Sequence, residues 1–412
     1  MNLELRARTE AGARFIALAE EHATMFRSTS ADHDFTGTFP FEYVDEMKQS
    51  GFISACVPSE LGGLGLESVR DLAIGLSRLG RGDGSIAIGI TMHFLVTWGT
   101  ARRWQTAHSE PRAGDTMLRD VAAGKLVVAV LNSESGSDNR HPFAEATPTE
   151  GGYLLNGRKS FGTLSPAAQQ FSIRVRLPDE GDGYRMASAM VRFDAPGIEN
   201  LGNWDAMGMR SSGSHDLVLN DVFVPASALS PATPWGILGE PGSVGGTVSA
   251  LCLSAVFMGI AEEAQRLTLE TVAKRKKQPG GTPLAHWYPV QEAVAEIEVT
   301  LSAMRAMLSR SGNLADAFFL GVDTGDGAPG SGAELLKDAQ CTKRFLNRGA
   351  IEVVNAATTI AGGGAYLSRN RLSQLYRDVR AGPFMSPFNE FEAAEYIGRV
   401  ALGLPGEGPL PN

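Results

Sequence analysis

An α+β fold with the order helical, β, helical is predicted by three observations. Apolar residues recur at three-and-four spacing through the first part of the chain and again through the last. A middle stretch breaks into short β-rich runs separated by turn residues. At 412 residues, of which 43% are hydrophobic, the chain is too long for one typical domain and ample for a large buried core. No internal repeat and no coiled-coil heptad competes with that division.

Residues 1–127 read as helical, with apolar residues in register at Phe15, Ile16, Leu18 and Ala19 and at Val69, Leu72, Ala73 and Leu76. The Gly-rich stretch from Pro58 to Gly65 marks a loop between helices. Near Leu126 the texture changes. The β-rich runs Leu126 to Leu131, Gly152 to Leu155, Phe171 to Val175, Arg185 to Val191 and Asp216 to Val224 have the spacing of an antiparallel sheet or small barrel. A helical pattern returns from Val244 to Arg310, is interrupted by an exposed Gly/Asp/Pro-rich loop at 321–332, and resumes at 333–360 and 386–402.

Composition narrows the function. The 37 basic and 46 acidic residues leave net charge −9, which argues against a nucleic-acid partner. The one basic run, Arg275-Lys276-Lys277, reads by itself as a solvated helix end. Three scattered cysteines, Cys56, Cys252 and Cys341, give neither a disulfide framework nor a metal site, and no metal is expected. The N-terminus lacks a signal-peptide pattern, and no uncharged apolar stretch of about 18 residues was found that would span a bilayer. A soluble, cytoplasmic protein is the expectation.

Five motifs then occur in order. They are Gly51-Phe52 with Val57 to Gly65; Ser133-Glu134-Ser135-Gly136-Ser137-Asp138; Leu155 to Thr163; Met207 to Arg210 with Val222 to Pro225; and Gly362 to Tyr366 with Tyr376 to Arg380. Each alone is weak, but five in one order and spacing resemble the acyl-CoA dehydrogenase family over nearly the whole chain. The resemblance implies an N-terminal helical domain (1–127), a central antiparallel β-domain (128–233) and a C-terminal four-helix bundle (234–412). It also implies FAD (FMN in a monooxygenase), a homotetramer, and an electron-transfer or flavin-reductase partner.

By that resemblance Phe161 takes the place of a flavin-flanking Trp, and Thr163 that of the hydroxyl near flavin N5. Ser137 and the 131–133 backbone, Leu131 and Ser133 among them, line the cofactor edge. Leu131-Asn132-Ser133 stands where the family usually has Thr-Glu-Pro. Arg275 corresponds to an Arg that reaches the pyrophosphate of a neighbouring subunit's FAD, a task suited to a forked guanidinium. Gln291 corresponds to another cofactor contact, and Gly362 and Gly363 to glycines that let backbone approach the adenine half.

The departures carry the functional argument. Desaturating an acyl thioester requires a base for the α-proton while hydride goes to flavin. The family commonly supplies a Glu eight residues after the aspartate that Asp378 matches, and that position here is Ser386. A hydroxyl without an activating partner is too weak a base. The alternative site on the helix before Gly259 reads Ser249-Ala250, also without a carboxylate, and the family's substrate-binding Arg falls on Ala250. Glu390, Glu392 and Glu395 read as a solvated helix face, with Glu390 the substitute base if the loop is rearranged. His93 and His215 are further candidates, although a lone His is more often structural. Two readings stand nearly even. One is an FAD-dependent dehydrogenase of a CoA- or carrier-bound acyl thioester with a non-standard base. The other is a reduced-flavin-dependent monooxygenase acting on carbon, nitrogen or sulfur of a small molecule, which needs no such base. An inactive flavin-binding relative is the third.

Overall fold

The structure, a computed structural model, describes residues 4–108, 112–179, 183–237 and 239–408. Six helices come first: α1 (Glu10–Phe26), α2 (Ser30–Thr36), α3 (Phe41–Gln49), α4 (Val69–Gly82), α5 (Gly84–Thr106) and α6 (Asp115–Ala122). Side-chain caps start three of them. Thr9 accepts from the amide of Gly12, Ser68 from that of Asp71 and Asp83 from that of Ile86, satisfying amides that have no partner within the helix. Phe15, Phe52 and Phe94 meet as stacked and edge-on rings 4.6–5.5 Å apart at the centre of this layer.

One eight-stranded sheet follows. Its strands are β1 (Val128–Val130), β2 (Glu145–Thr149), β3 (Gly152–Gly162), β4 (Gln170–Pro178), β5 (Tyr184–Arg192), β6 (Ile198–Asn200), β7 (His215–Pro225) and β8 (Thr233–Pro234). The order is β6-β7-β3-β2-β4-β5-β8, with β1 added beside β4. The sheet is mixed, not purely antiparallel as the sequence suggested, because β1 and β2 both run parallel to β4. The connection from β1 to β4 is long enough to return the chain in the same direction, which a hairpin cannot do. Alternation along β4 puts Phe171, Ile173 and Val175 in the core.

The C-terminal helices are α7 (Gly239–Lys274), α8 (Tyr288–Leu320), α9 (Gly332–Ala361), α10 (Arg371–Asp378) and α11 (Glu390–Ala401), and α9 packs against the other four. The pattern read as one helix over 244–310 is broken between Lys274 and Tyr288, where Pro279, Gly280, Gly281 and Pro283 turn the chain through a two-residue hairpin, Lys276–Lys277 against Thr282–Pro283. These residues cannot continue a helix without losing amides or strain-free dihedrals.

The expectation of no long apolar stretch also needs correction. Two helices, Gly84–Thr106 and Gly242–Lys274, are long and apolar enough to cross a membrane by length and composition. Their apolar windows are 78% and 83% buried within the protein, so they read as core helices. Small residues let α7 approach its neighbours closely: a Cβ added at Gly259 would lie 2.0 Å from the Ser77 carbonyl of α4.

The segment Arg371–Asp378 fixes the three parts to one another. Arg371 donates to the Gly82 carbonyl and the Ser30 hydroxyl, Arg377 pairs with Asp34, and the buried Asp378 carboxylate accepts the Met209 amide at 2.6 Å. Burial first, and then Asp34 and Asp83, push the Asp378 carboxyl up to about 7.

Candidate functional site

Three chain segments make up the candidate site, and the first and last are held from behind. The first is the loop after β1. Leu131 donates to the Ser172 carbonyl at 2.9 Å, and the Ser133 carbonyl accepts the Ser160 amide at 2.9 Å, tying the loop to β4 and β3. Inside it, the buried Glu134 accepts the Ala144 amide and the Lys159 ammonium. The Ser137 hydroxyl donates to the His141 carbonyl and accepts the Asn139 amide. Asp138 is occupied by Arg140 and His141.

The end of β3 supplies an aromatic face. Phe161 has φ +58° and is 59% exposed, and its ring meets Trp204 edge-on at 5.8 Å. Non-glycine residues at positive φ are uncommon and cluster at functional sites. The Thr163 hydroxyl lies 2.9 Å from that of Ser214, which in turn lies 2.6 Å from that of Ser212. A ring to flank the flavin, hydroxyls that can donate to its nitrogens and a backbone edge are what such a cofactor requires, and the chemistry of these residues fits it.

The third segment is the turn between α10 and α11, which carries Ser386. The Ser386 hydroxyl accepts from the Asn139 side-chain amide at 2.9 Å and lies 3.5 Å from that of Ser133. The sequence position expected to hold a base therefore faces the β1 loop. Lys343 of α9, 3% exposed, holds the turn by donating to the carbonyls of Met385 and Phe388, the latter at 2.6 Å. Burial pushes its amine down to about 7, against the pull of Glu392 and Glu390. Asn347 adds a bond to the Gly382 carbonyl at 2.9 Å.

The other candidate bases fare differently. Glu390 is gripped by Arg344 and Arg348. Burial alone would raise its carboxyl, but the two guanidiniums outweigh that and hold it below the usual range, which leaves it a poor proton acceptor. His215 accepts the Trp204 amide. His93 is corrected outright. It is 0% exposed, its Nε2 bonds the Ile53 carbonyl at 2.9 Å and its Nδ1 accepts the Val128 amide at 3.1 Å, so neither nitrogen is available to a substrate.

Burial pushes His93 down to about 4, so the folded chain refuses a proton that the unfolded chain takes near 6.5. The stability this neutral histidine provides is complete above about 6.5 and is lost as pH falls toward 4, by up to about 1.4 kcal/mol per pH unit. Thermal melting of His93→Gln is expected to depend less on pH across that window than the parent; equal slopes would contradict the assignment.

Arg275, Gly362 and Gly363 meet elsewhere. Arg275 donates to the Ala361 carbonyl at 2.5 Å, beside Gly362 in its left-handed conformation (φ +70°). Gln291 lies on the first turn of α8 and donates to the Ala285 carbonyl. Among the described residues no hydrogen bond joins this group to the β1 loop. Asn139 and Lys343 escaped the sequence reading. Lys343 left a signal, since it shares one helical face with the buried Ala339, Leu346 and Ala350. Asn139 left none beyond following the Ser133–Asp138 motif.

The family model for the acyl-CoA dehydrogenase N-terminal domain matches residues 16–107, and that for the acyl-CoA dehydrogenase C-terminal domain matches 251–387. The chain is 32% identical over 399 residues to an amino sugar nitrososynthase of Streptomyces peucetius, covering 96% of this chain and 95% of that one. A nitrososynthase structure from Micromonospora carbonacea var. africana superposes with TM-score 0.86 at 32% identity, covering 97% and 98% of the two chains. KijD3 in complex with FMN and dTDP-3-amino-2,3,6-trideoxy-4-keto-3-methyl-D-glucose gives TM-score 0.86 at 31% identity, covering 97% and 96%.

Proposed function

The chain belongs to the acyl-CoA dehydrogenase family of flavin-dependent oxidoreductases, and from that premise we propose that it is a monooxygenase that oxidises the amino group of a small molecule, with a nucleotide-linked amino sugar as the substrate class. The observation that carries this is Ser386, a hydroxyl bonded to a side-chain amide where α-proton abstraction would need a carboxylate. Glu390, the nearest replacement in sequence, is committed to two arginines. Oxidation at nitrogen needs no α-proton base, and the similarity to nitrososynthases supports the same reading. Desaturation of an acyl thioester, the reading that stands nearly even with it on sequence alone, finds no free carboxylate at Ser386 or Glu390 to act as base.

Bound in its reduced form, the flavin supplies the electrons and oxygen activation: amine, dioxygen and reduced flavin give hydroxylamine, water and oxidised flavin. The protein's part is to present a ring face through Phe161, hold hydroxyls at Thr163 and Ser214, and close the substrate side with the Ser386 turn. A separate flavin reductase is the partner this implies. Incubating the protein with reduced FMN or FAD, dioxygen and the dTDP-linked amino sugar should give an N-oxygenated product by mass spectrometry. Flavin bleaching by an acyl thioester without oxygen, and no amine product, would reverse the reading.

We place the flavin phosphate near Arg275 and Gly362, contributed to a neighbouring protomer's site in a tetramer. Among the described residues, apart from its chain neighbours, nothing lies within 4 Å of a Cβ added at Gly363, and Tyr366 and Leu367 nearby are strongly exposed, which suits a surface covered by another protomer. Arg275→Ala is expected to weaken flavin binding about tenfold or more by removing a charge-assisted phosphate contact. Fluorescence titration alongside light scattering checks this; unchanged affinity removes Arg275 from the site.

A further inference from the structure

We propose that Asn139 selects and orients the substrate's amino group by offering it a neutral carbonyl acceptor beside Ser386; the proposal rests on the amine-oxidising reading above. Asn139 is 9% exposed and sits at φ +64°, a left-handed conformation uncommon outside glycine. Three of its four polar handles are in use. Its amide donates to the Ser137 hydroxyl at 3.2 Å, its carbonyl accepts Arg174 at 3.0 Å, and its side-chain Nδ2 donates to Ser386 at 2.9 Å. The fourth, Oδ1, is buried without a partner among the described residues. Buried acceptors are rarely left so, and non-glycine residues at positive φ recur at ligand sites.

The chemistry favours an amine with at least one N–H. Oxidation at nitrogen uses the lone pair, which an ammonium lacks. A carboxylate beside the amine would stabilise the ammonium and raise its pKa. An amide carbonyl accepts an N–H and adds no charge, so it orients the free amine without masking it. Ser386 continues the same logic, because its oxygen already accepts Asn139 Nδ2 and its hydrogen is left for Ser133 or the substrate. The carboxylates alongside are paired with cations, Asp138 with Arg140 and Glu134 with Lys159, and Asp138 also hydrogen-bonds the His141 ring.

The test uses flavin-loaded protein and two variants, Asn139→Gly and Asn139→Asp, whose residues both tolerate the left-handed backbone. The probes are the dTDP-linked 3-amino-4-keto sugar and its N,N-dimethyl form, which has no N–H on the neutral amine. By calorimetry with oxidised flavin at a pH where both amines are neutral, the parent should prefer the primary amine, and Asn139→Gly should lose roughly threefold to tenfold of that preference. In Asn139→Asp the acid limb of the rate profile should move up by about one pH unit or more. If the parent binds and oxidises the amino sugar while Asn139→Gly keeps its preference and Asn139→Asp its pH profile, Asn139 has no such role and the amine reading survives. If the parent neither binds nor oxidises the amino sugar, both fall.

Discussion

Ser386→Glu is expected to lower amine oxidation at neutral pH by on the order of a hundredfold while leaving flavin binding intact. The new carboxylate would stand within reach of the Asn139 side-chain amide that Ser386 now accepts at 2.9 Å, beside the proposed amine site. An opposite charge this close raises an amine's pKa by about one to three units, and each unit costs about tenfold in free amine. Rate should therefore recover as pH rises. Ser386→Ala should keep activity within about tenfold, because a hydroxyl cannot hold a proton vacancy near neutral pH. The pH–rate profiles of both variants check this. A glutamate variant that turns over normally at neutral pH, or an alanine variant that loses several orders of magnitude with flavin retained, would contradict the account.

Lys343→Met is expected to loosen the turn that carries Ser386. The methionine fills similar volume but takes away the donor to the Met385 and Phe388 carbonyls. Each carbonyl left dry and unpaired costs about 1–3 kcal/mol, so about 3 kcal/mol of local stability should go. Hydrogen exchange across residues 382–390 should rise strongly with a smaller change in global melting, and Lys343→Arg should restore part of the protection. Exchange indistinguishable from the parent in Lys343→Met would show that the clamp contributes nothing.

The helical, β, helical order was legible because hydrophobic period changes from three-and-four to two near Leu126 and back after Pro225, and burial enforces those periods. The parallel pairing of β1 with β4 was not legible, because pairing between Val128 and Gln170 depends on contacts some 40 residues apart that no local pattern encodes. The uncharged run in α7 is long and apolar enough to cross a membrane, and only its burial within the protein shows it to be a core helix. At the site, Ser386 could be located by its distance from Asp378, whereas its partner Asn139 could not. A hydrogen bond across 247 positions between two small polar residues leaves no trace in spacing. His93 shows the converse: its sequence neighbourhood admits a catalytic role, and only its burial and two backbone bonds reveal a structural one.

The central claim is oxygen transfer to nitrogen. It is tested most directly by supplying isotopically heavy dioxygen with reduced flavin and the dTDP-linked amino sugar, and weighing the product. The account predicts that heavy oxygen from the gas appears on the product nitrogen, in step with flavin oxidation. A product that carries no heavy oxygen, together with flavin reduction by an acyl thioester in the absence of dioxygen, would contradict it.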